Sequence, residues 1–200
     1  MTTLVLCGYQ GSGKDTVYND LIHESFWDHW IVLSKTGSIQ DIKFTYKTNY
    51  IRIAFADKLK EYVMDKYEFL NPFIQKDDFI PTMNKTFREL LIEEAIETKK
   101  NNLNIWVEKA LNPFTKKEKD ICITDWRFFH EKSYIYNNFS TILTARVFRE
   151  DVSIPDSPSE HELDYILTDF VILPNMNHFK KFIQVFPQYT NFLEVKNTPK

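Results

Sequence analysis

The chain has 200 residues, of which 43% are hydrophobic and 26% charged, enough apolar material for one α/β domain with a buried core. Lys and Arg total 25 against 28 Asp and Glu, a net charge of -3 with no long basic run, which argues against a nucleic-acid polymer as partner. No apolar run reaches the roughly 20 residues needed to span a bilayer, so a membrane is not expected. The two cysteines, Cys7 and Cys122, sit in apolar runs and fit a reduced, cytoplasmic compartment better than a disulfide scaffold.

Leu4-Val5-Leu6-Cys7 is a short apolar run that stops at Gly8, as a buried parallel strand does. From Lys14 the spacing of Val17, Leu21 and Ile22 becomes helical. The first unit is therefore strand, glycine-rich loop, helix. Residues 27–50 read as an insertion, in which Trp30–Leu33 and Lys43–Tyr46 are candidate strands around a turn at Gly37-Ser38. Tyr50–Phe55 is the second core strand, and Asp57 is placed to cap the helix carrying Leu59, Tyr62 and Val63. Asn71-Pro72 and Ile80-Pro81 punctuate a connecting region. Thr86-Phe-Arg-Glu89 has the spacing of a capping box and opens a helix running to about Lys100. Asn104 starts another helix, which ends at Asn112-Pro113. Ile121–Thr124 is a buried strand closing on Asp125, and Thr141–Phe148 is a fourth strand. Residues 149–163, polar and interrupted by Pro155 and Pro158, read as a lid or surface loop. Phe170–Leu173 is a fifth strand. Phe179, Phe182, Ile183 and Phe186 mark a final amphipathic helix.

Strands alternating with helices predict a three-layer α/β sandwich around a parallel five-stranded sheet, in one domain spanning residues 1–200. Ligands in such sheets bind beyond the carboxyl ends of the strands. Gly8, Asp57, Asp125 and Arg149 all fall just past a predicted strand and are expected on that one edge.

The strongest chemical signal is Gly8-Tyr9-Gln10-Gly11-Ser12-Gly13-Lys14-Asp15-Thr16. Only four glycines occur in the chain, and three fall here. The stretch matches G-x-x-x-x-G-K, with Asp15 where Ser or Thr is usual and Thr16 one place later. Glycines let successive N–H groups turn inward on phosphate oxygens, the helix N-terminus adds partial positive charge, and Lys14 reaches the β- and γ-phosphates. Gly8, Gln10, Gly11, Ser12, Gly13, Lys14, Asp15 and Thr16 are thus expected to bind ATP. Ile121–Asp125 resembles a Walker B segment, which places Asp125 near Mg²⁺ together with Asp15 and Thr16. Arg88 lies in the first turn of a helix, where a cation opposes the dipole and gains from a facing anion. Arg127 emerges two residues after Asp125. Arg146 and Arg149 flank a strand end beside the lid. Several arginines on one edge suit phosphoryl transfer, which is mostly positioning and charge stabilisation. The five histidines show no metal-ligand spacing, and no Ser or Cys has the partners of a triad.

Ser12-Gly-Lys-Asp-Thr16, Phe55-Ala-Asp-Lys-Leu-Lys60, Phe87-Arg88, Trp106, Asp125-Trp-Arg127, Arg146-Val-Phe-Arg149, Pro158-Ser-Glu160 and Asp169–Asn175 together resemble the deoxynucleoside monophosphate kinases of large DNA phages and viruses. Animal-type phosphomevalonate kinases are similar in plan. The resemblance implies the P-loop NTPase fold, ATP and Mg²⁺, and a nucleoside monophosphate as acceptor in the host cytoplasm. It assigns Lys14, Arg127 and Arg149 to catalysis, Arg146 to the ATP side, and Lys60, Arg88, Trp106 and Arg127 to the acceptor. Asn104 and Ser157 depart from the family pattern and bear on which acceptor is taken. Three readings follow: a nucleotide kinase, a phosphomevalonate or other small-metabolite kinase, and a P-loop module that binds nucleotide without turnover. The oligomeric state is open, a homodimer included.

Overall fold

The computed structural model describes residues 2–23, 25–37, 49–117 and 119–195. In chain order these form β1 (Thr3–Cys7), α1 (Lys14–Ile22), α2 (Phe26–His29), β2 (Ile31–Ser34), β3 (Ile51–Ile53), α3 (Phe55–Lys66), β4 (Phe79–Ile80), β5 (Lys85–Thr86), α4 (Phe87–Lys99), α5 (Ile105–Leu111), β6 (Ile121–Ile123), α6 (Phe129–Asn138), β7 (Ile142–Val147), α7 (Pro158–His161), β8 (Phe170–Leu173), α8 (Phe179–Val185) and β9 (Leu193–Glu194).

The sheet runs β3-β6-β1-β7-β8-β2-β9. Its first five strands are mutually parallel, and β2 and β9 extend it in antiparallel fashion. The expected count of five is thus short by two. One of the two comes from the segment read as an insertion, where Ile31–Ser34 covers the open side of β8 in register Ile31↔Leu173 to Ser34↔Phe170, and the other is Leu193–Glu194, which pairs with β2. The second strand expected in the insertion, Lys43–Tyr46, and the Ser38 end of its turn lie outside the described residues. Phe79–Ile80 and Lys85–Thr86 form a separate two-stranded ribbon.

β1 shows why the sheet is buried on both sides. Leu4 and Leu6 pack with Val17 and Leu21 of α1, Phe26 and Trp30 on one face. Val5 and Cys7 pack with Phe55, Trp106, Leu111 and Ile135 of α3, α5 and α6 on the other. Successive strand side chains alternate faces, so an unbroken apolar run is what two covered faces demand. Both cysteines are buried and free. A third cluster joins β8 and α8 through Val171, Leu173, Phe182, Phe186 and Tyr189. None of the helices among the described residues is long and apolar enough to cross a membrane.

The helix starts test two local readings. Thr86 and Glu89 form the expected capping box: Thr86 Oγ1 accepts from Glu89 N at 3.2 Å, and Glu89 Oε2 accepts from Thr86 N at 2.6 Å. Asp57 does not cap α3, which begins earlier, at Phe55, with no side-chain cap from Ala54. Its free amides are met by Asp125 from β6 instead, at 2.9 Å from Phe55 N and 2.8 Å from Ala56 N.

From β1 the chain runs through α1 and α2 to β2, beyond β8, and only then crosses to β3 at the opposite edge of the sheet. β1 itself lies between β6 and β7, and ligands of such sheets bind beyond the carboxyl ends of the strands.

Candidate active site

Gly8 ends β1, and its φ of 140° lies outside the range of residues with a Cβ. A Cβ there would stand 2.3 Å from the Val147 carbonyl oxygen, so the loop leaves β1 pressed against the end of β7. Gly13, at φ 95°, caps α1 in the left-handed region, and α1 has no side-chain cap. The first turn of α1 thus presents amides that no side chain of the cap residue meets, the condition that favours an anion. Lys14 is folded into this loop. Its Nζ donates to Gly8 O at 2.6 Å and Tyr9 O at 2.8 Å, with Ser12 Oγ at 3.5 Å. Burial, with repulsion from Arg127 second, holds its ammonium below the usual lysine range.

The anions around the loop are distributed differently from the sequence expectation. Asp15, expected with the metal and a clamp arginine, accepts from Arg52 Nε at 2.7 Å, and Arg52 Nη1 also reaches Asp57 Oδ2 at 2.7 Å. Thr16 is exposed one residue further along α1. Asp125, expected as a metal ligand, has both oxygens on the α3 amides described above. The correction has a plain cause: α3 starts without a cap of its own, and β6 delivers a carboxylate to it. Burial still raises the Asp125 carboxyl above its usual range, partly offset by those two amides and by Arg127. No group of three or more metal-binding side chains occurs among the described residues. Such a donor set does not make a protein cage. It fits an ion carried in by phosphates and water, with one or two protein oxygens, as Mg²⁺ is bound.

The arginines divide into three kinds. Arg127, at the end of β6, donates Nη1 to Glu160 of α7. Arg149, past β7, pairs with Asp151 at 3.1 and 2.5 Å, and its Cδ would lie 3.7 Å from a Cβ on Gly13. Arg146 does not face the loop and is withdrawn from the ATP side. It is 1% exposed, lies 4.4 Å above the Phe186 ring, and donates Nη2 to Leu163 O and, at 3.4 Å, to Ile166 O. Its place in β7 opposite Cys7 turns it into the sheet's covering layer, where it fastens the segment leading into β8.

Of the residues expected to bind the acceptor, Arg88 donates Nε to Asp77 Oδ1 at 3.0 Å. Lys60 Nζ sits 5.9 Å from the ring centroid of Phe87, at the start of α4. Among the described residues Arg88 and Arg127 share no bonding partner. Trp106 is 4% exposed and packs on Tyr62 with ring centroids 5.5 Å apart. As placed it is a core aromatic of α5, and stacking on a base is not open to it; its indole N–H has no partner.

Beside the loop, Thr16, His29, Trp30, Arg149, Asp151, Pro174 and His178 line a cavity of about 330 Å³. Trp30 is set there by a 2.7 Å bond from Nε1 to Asp20 Oδ2, which brings its ring edge to 3.1 Å from a Cβ on Gly13. Arg52, Trp30 and Glu160 carried no assigned role in the sequence. A polar Arg52 inside the apolar run Ile51–Ala54 is the one local sign among them.

No family model matches this sequence, and no curated protein matches it. Among solved structures, shikimate kinase from Bacteroides thetaiotaomicron is similar at 12% identity and a TM-score of 0.35, over 94% of this chain and 79% of that one. The mostly parallel α/β sheet and the glycine-rich loop at the carboxyl end of β1 are properties of this chain itself.

Proposed function

We propose that the chain is a P-loop kinase that transfers the γ-phosphoryl group of ATP to a small phosphorylated acceptor, a (deoxy)nucleoside monophosphate. One observation carries this reading. The loop from Gly8 to Lys14 leaves the carboxyl end of the central strand β1, bends at three glycines of positive φ, and opens an uncapped helix with its lysine drawn inside.

In this reading the loop amides and the α1 N-terminus take the phosphate chain, and Lys14 swings from the Gly8 and Tyr9 carbonyls onto the β- and γ-phosphates. The cavity lined by Trp30, Arg149 and Pro174 is of a size for the nucleoside, with Arg149 between it and the loop. Thr16 would hold Mg²⁺, which supplies charge neutralisation to the phosphates, while Asp15 stays paired with Arg52. An acceptor phosphate oxygen, already anionic, forms the new bond to the γ-phosphorus as the bond to the β–γ bridging oxygen breaks and ADP leaves. No strong base is required of the protein. Arg127 offsets the charge on the transferring group, and Lys60 and Arg88 hold the acceptor. The nucleotide identity of the acceptor rests on the resemblance of the ordered motifs.

An ADP-release assay against nucleoside monophosphates, phosphomevalonate and a no-acceptor control tests it. Turnover with a nucleoside monophosphate supports the reading. Turnover only with phosphomevalonate moves it to the metabolite kinases, and tight ATP binding with no turnover reduces it to a binding module.

A further inference from the structure

The connection from β7 to β8 brings a carboxylate into the mouth of the glycine-rich loop. Glu160 Oε2 accepts from Gln10 N at 2.7 Å, and Oε1 accepts from Arg127 Nη1, with the side chain only 5% exposed. The short helix bearing it is tied down on several sides. Tyr9 Oη donates to Asp164 Oδ2 at 2.9 Å, and His161 Nδ1 lies 2.7 Å from the same oxygen. Phe129 N donates to Glu162 Oε1 at 2.6 Å, and the buried Arg146 donates to Leu163 O. Val152, from the same connection, stands 3.7 Å from where a Cβ on Gly11 would be.

A loop amide and an arginine are the two donor types that a phosphate takes at such a site. Carboxylate and phosphate oxygens are both acceptors and both negative, so they cannot share one amide and one guanidinium. Lys14 fits the same picture. Its ammonium is bonded to loop carbonyls and not to Glu160, which leaves that carboxylate to the Gln10 amide and Arg127.

We propose that Glu160 is an internal anion that holds the loop mouth shut against the terminal phosphate of the donor, and that donor binding displaces it together with residues 158–164. The proposal rests on the phosphoryl-transfer reading for the identity of the incoming anion. Glu160 lowers apparent affinity by the fraction of molecules in which it is docked. It thereby links entry of the phosphate chain to release of Arg127 for the transfer.

The test is titration calorimetry of inorganic tripolyphosphate and of ATP with the wild-type chain and Glu160→Gln, which keeps the shape and removes the charge. The expected result is binding tighter by about 5- to 30-fold in the variant. Affinity unchanged within twofold, or weaker, overturns the proposal. If turnover also falls while affinity stays the same, Glu160 is instead a residue that positions Arg127. Hydrogen exchange on the wild-type chain needs no variant to fold. Saturating tripolyphosphate is expected to raise exchange at the amides of residues 159–164, and slower or unchanged exchange there overturns the displacement. Failure of the wild-type chain to bind either ligand removes the P-loop reading itself. Binding without tightening or release removes only the latch.

Discussion

The carboxylate of Asp15 is bonded to the guanidinium of Arg52, Oδ1 to Nε at 2.7 Å. An anion in the first turn of α1, next to the glycine-rich loop, is thereby neutralised by an arginine from β3 that also holds Asp57. Asp15 is 64% and Arg52 33% exposed at the side chain, so the pair itself contributes at most about 1 kcal/mol to stability. Its larger effect is on the ligand. Arg52→Ala is expected to uncover the Asp15 charge and raise the KM for ATP by about 3- to 10-fold. Asp15→Asn in the same chain is expected to restore it, and the four KM values of that cycle check the coupling.

Lys14→Ala is expected to lower kcat by about 10²–10³ through loss of one preorganised charge contact. The fold should persist, because the variant removes a buried ammonium together with its bonds to Gly8 and Tyr9. Steady-state rates and the circular dichroism of the variant check both halves.

Gly8→Ala is expected to fail for a reason of backbone rather than chemistry. The position has φ 140°, and the new Cβ would meet the Val147 carbonyl oxygen at 2.3 Å. Strain of this type costs about 1–3 kcal/mol before any clash is relieved. Urea unfolding should show a loss of at least about 2 kcal/mol, and loop and β7 should no longer sit close enough to bind the phosphate chain.

Glu131 gives the clearest pH dependence. Its side chain is 5% exposed, accepts from Arg127 N and Phe128 N at 3.1 Å each, and faces Asp125, Lys99 and, across Lys99, Glu162. Burial pushes its carboxyl up to about 8. In the unfolded chain it titrates at about 4.3. Between those values the folded state holds the proton and the unfolded state does not, so stability falls as pH rises through this window and levels off above it. Wild-type unfolding free energy should drop by on the order of 1–4 kcal/mol from pH 5 to pH 8. Glu131→Gln, whose amide oxygen still accepts both N–H groups, should be nearly flat over the same range.

The parts legible in the sequence are those set by neighbours in the chain. The Leu4–Cys7 run, the clustered glycines and Lys14 define strand, loop and helix over a dozen residues. Thr86 and Glu89 cap α4 across three positions. What was not legible is set across the fold. Asp125 ends an apolar strand as a metal ligand would, yet its oxygens go to an α3 start that lacks its own cap. Arg146 and Arg149 flank the same strand end. Strand alternation sends one inward under Phe186 and leaves the other beside Gly13, and the residues themselves do not say which. Glu160 reaches Gln10 from 150 positions away, and no local pattern encodes that contact.

The antiparallel pair added beyond β8 has a consequence for how the molecule behaves in crowded solution. A sheet ending at β8 would offer a four-residue, fully buried-type strand, Phe170–Leu173, as a template for another chain. β2 pairs along its whole length, and β9, only Leu193–Glu194, closes β2 in turn. On that side the described sheet therefore ends in two residues, one of them acidic, which is too little ladder to recruit a foreign strand. β2, from the segment between α1 and β3, together with β9, thus guards the described sheet against self-templated aggregation.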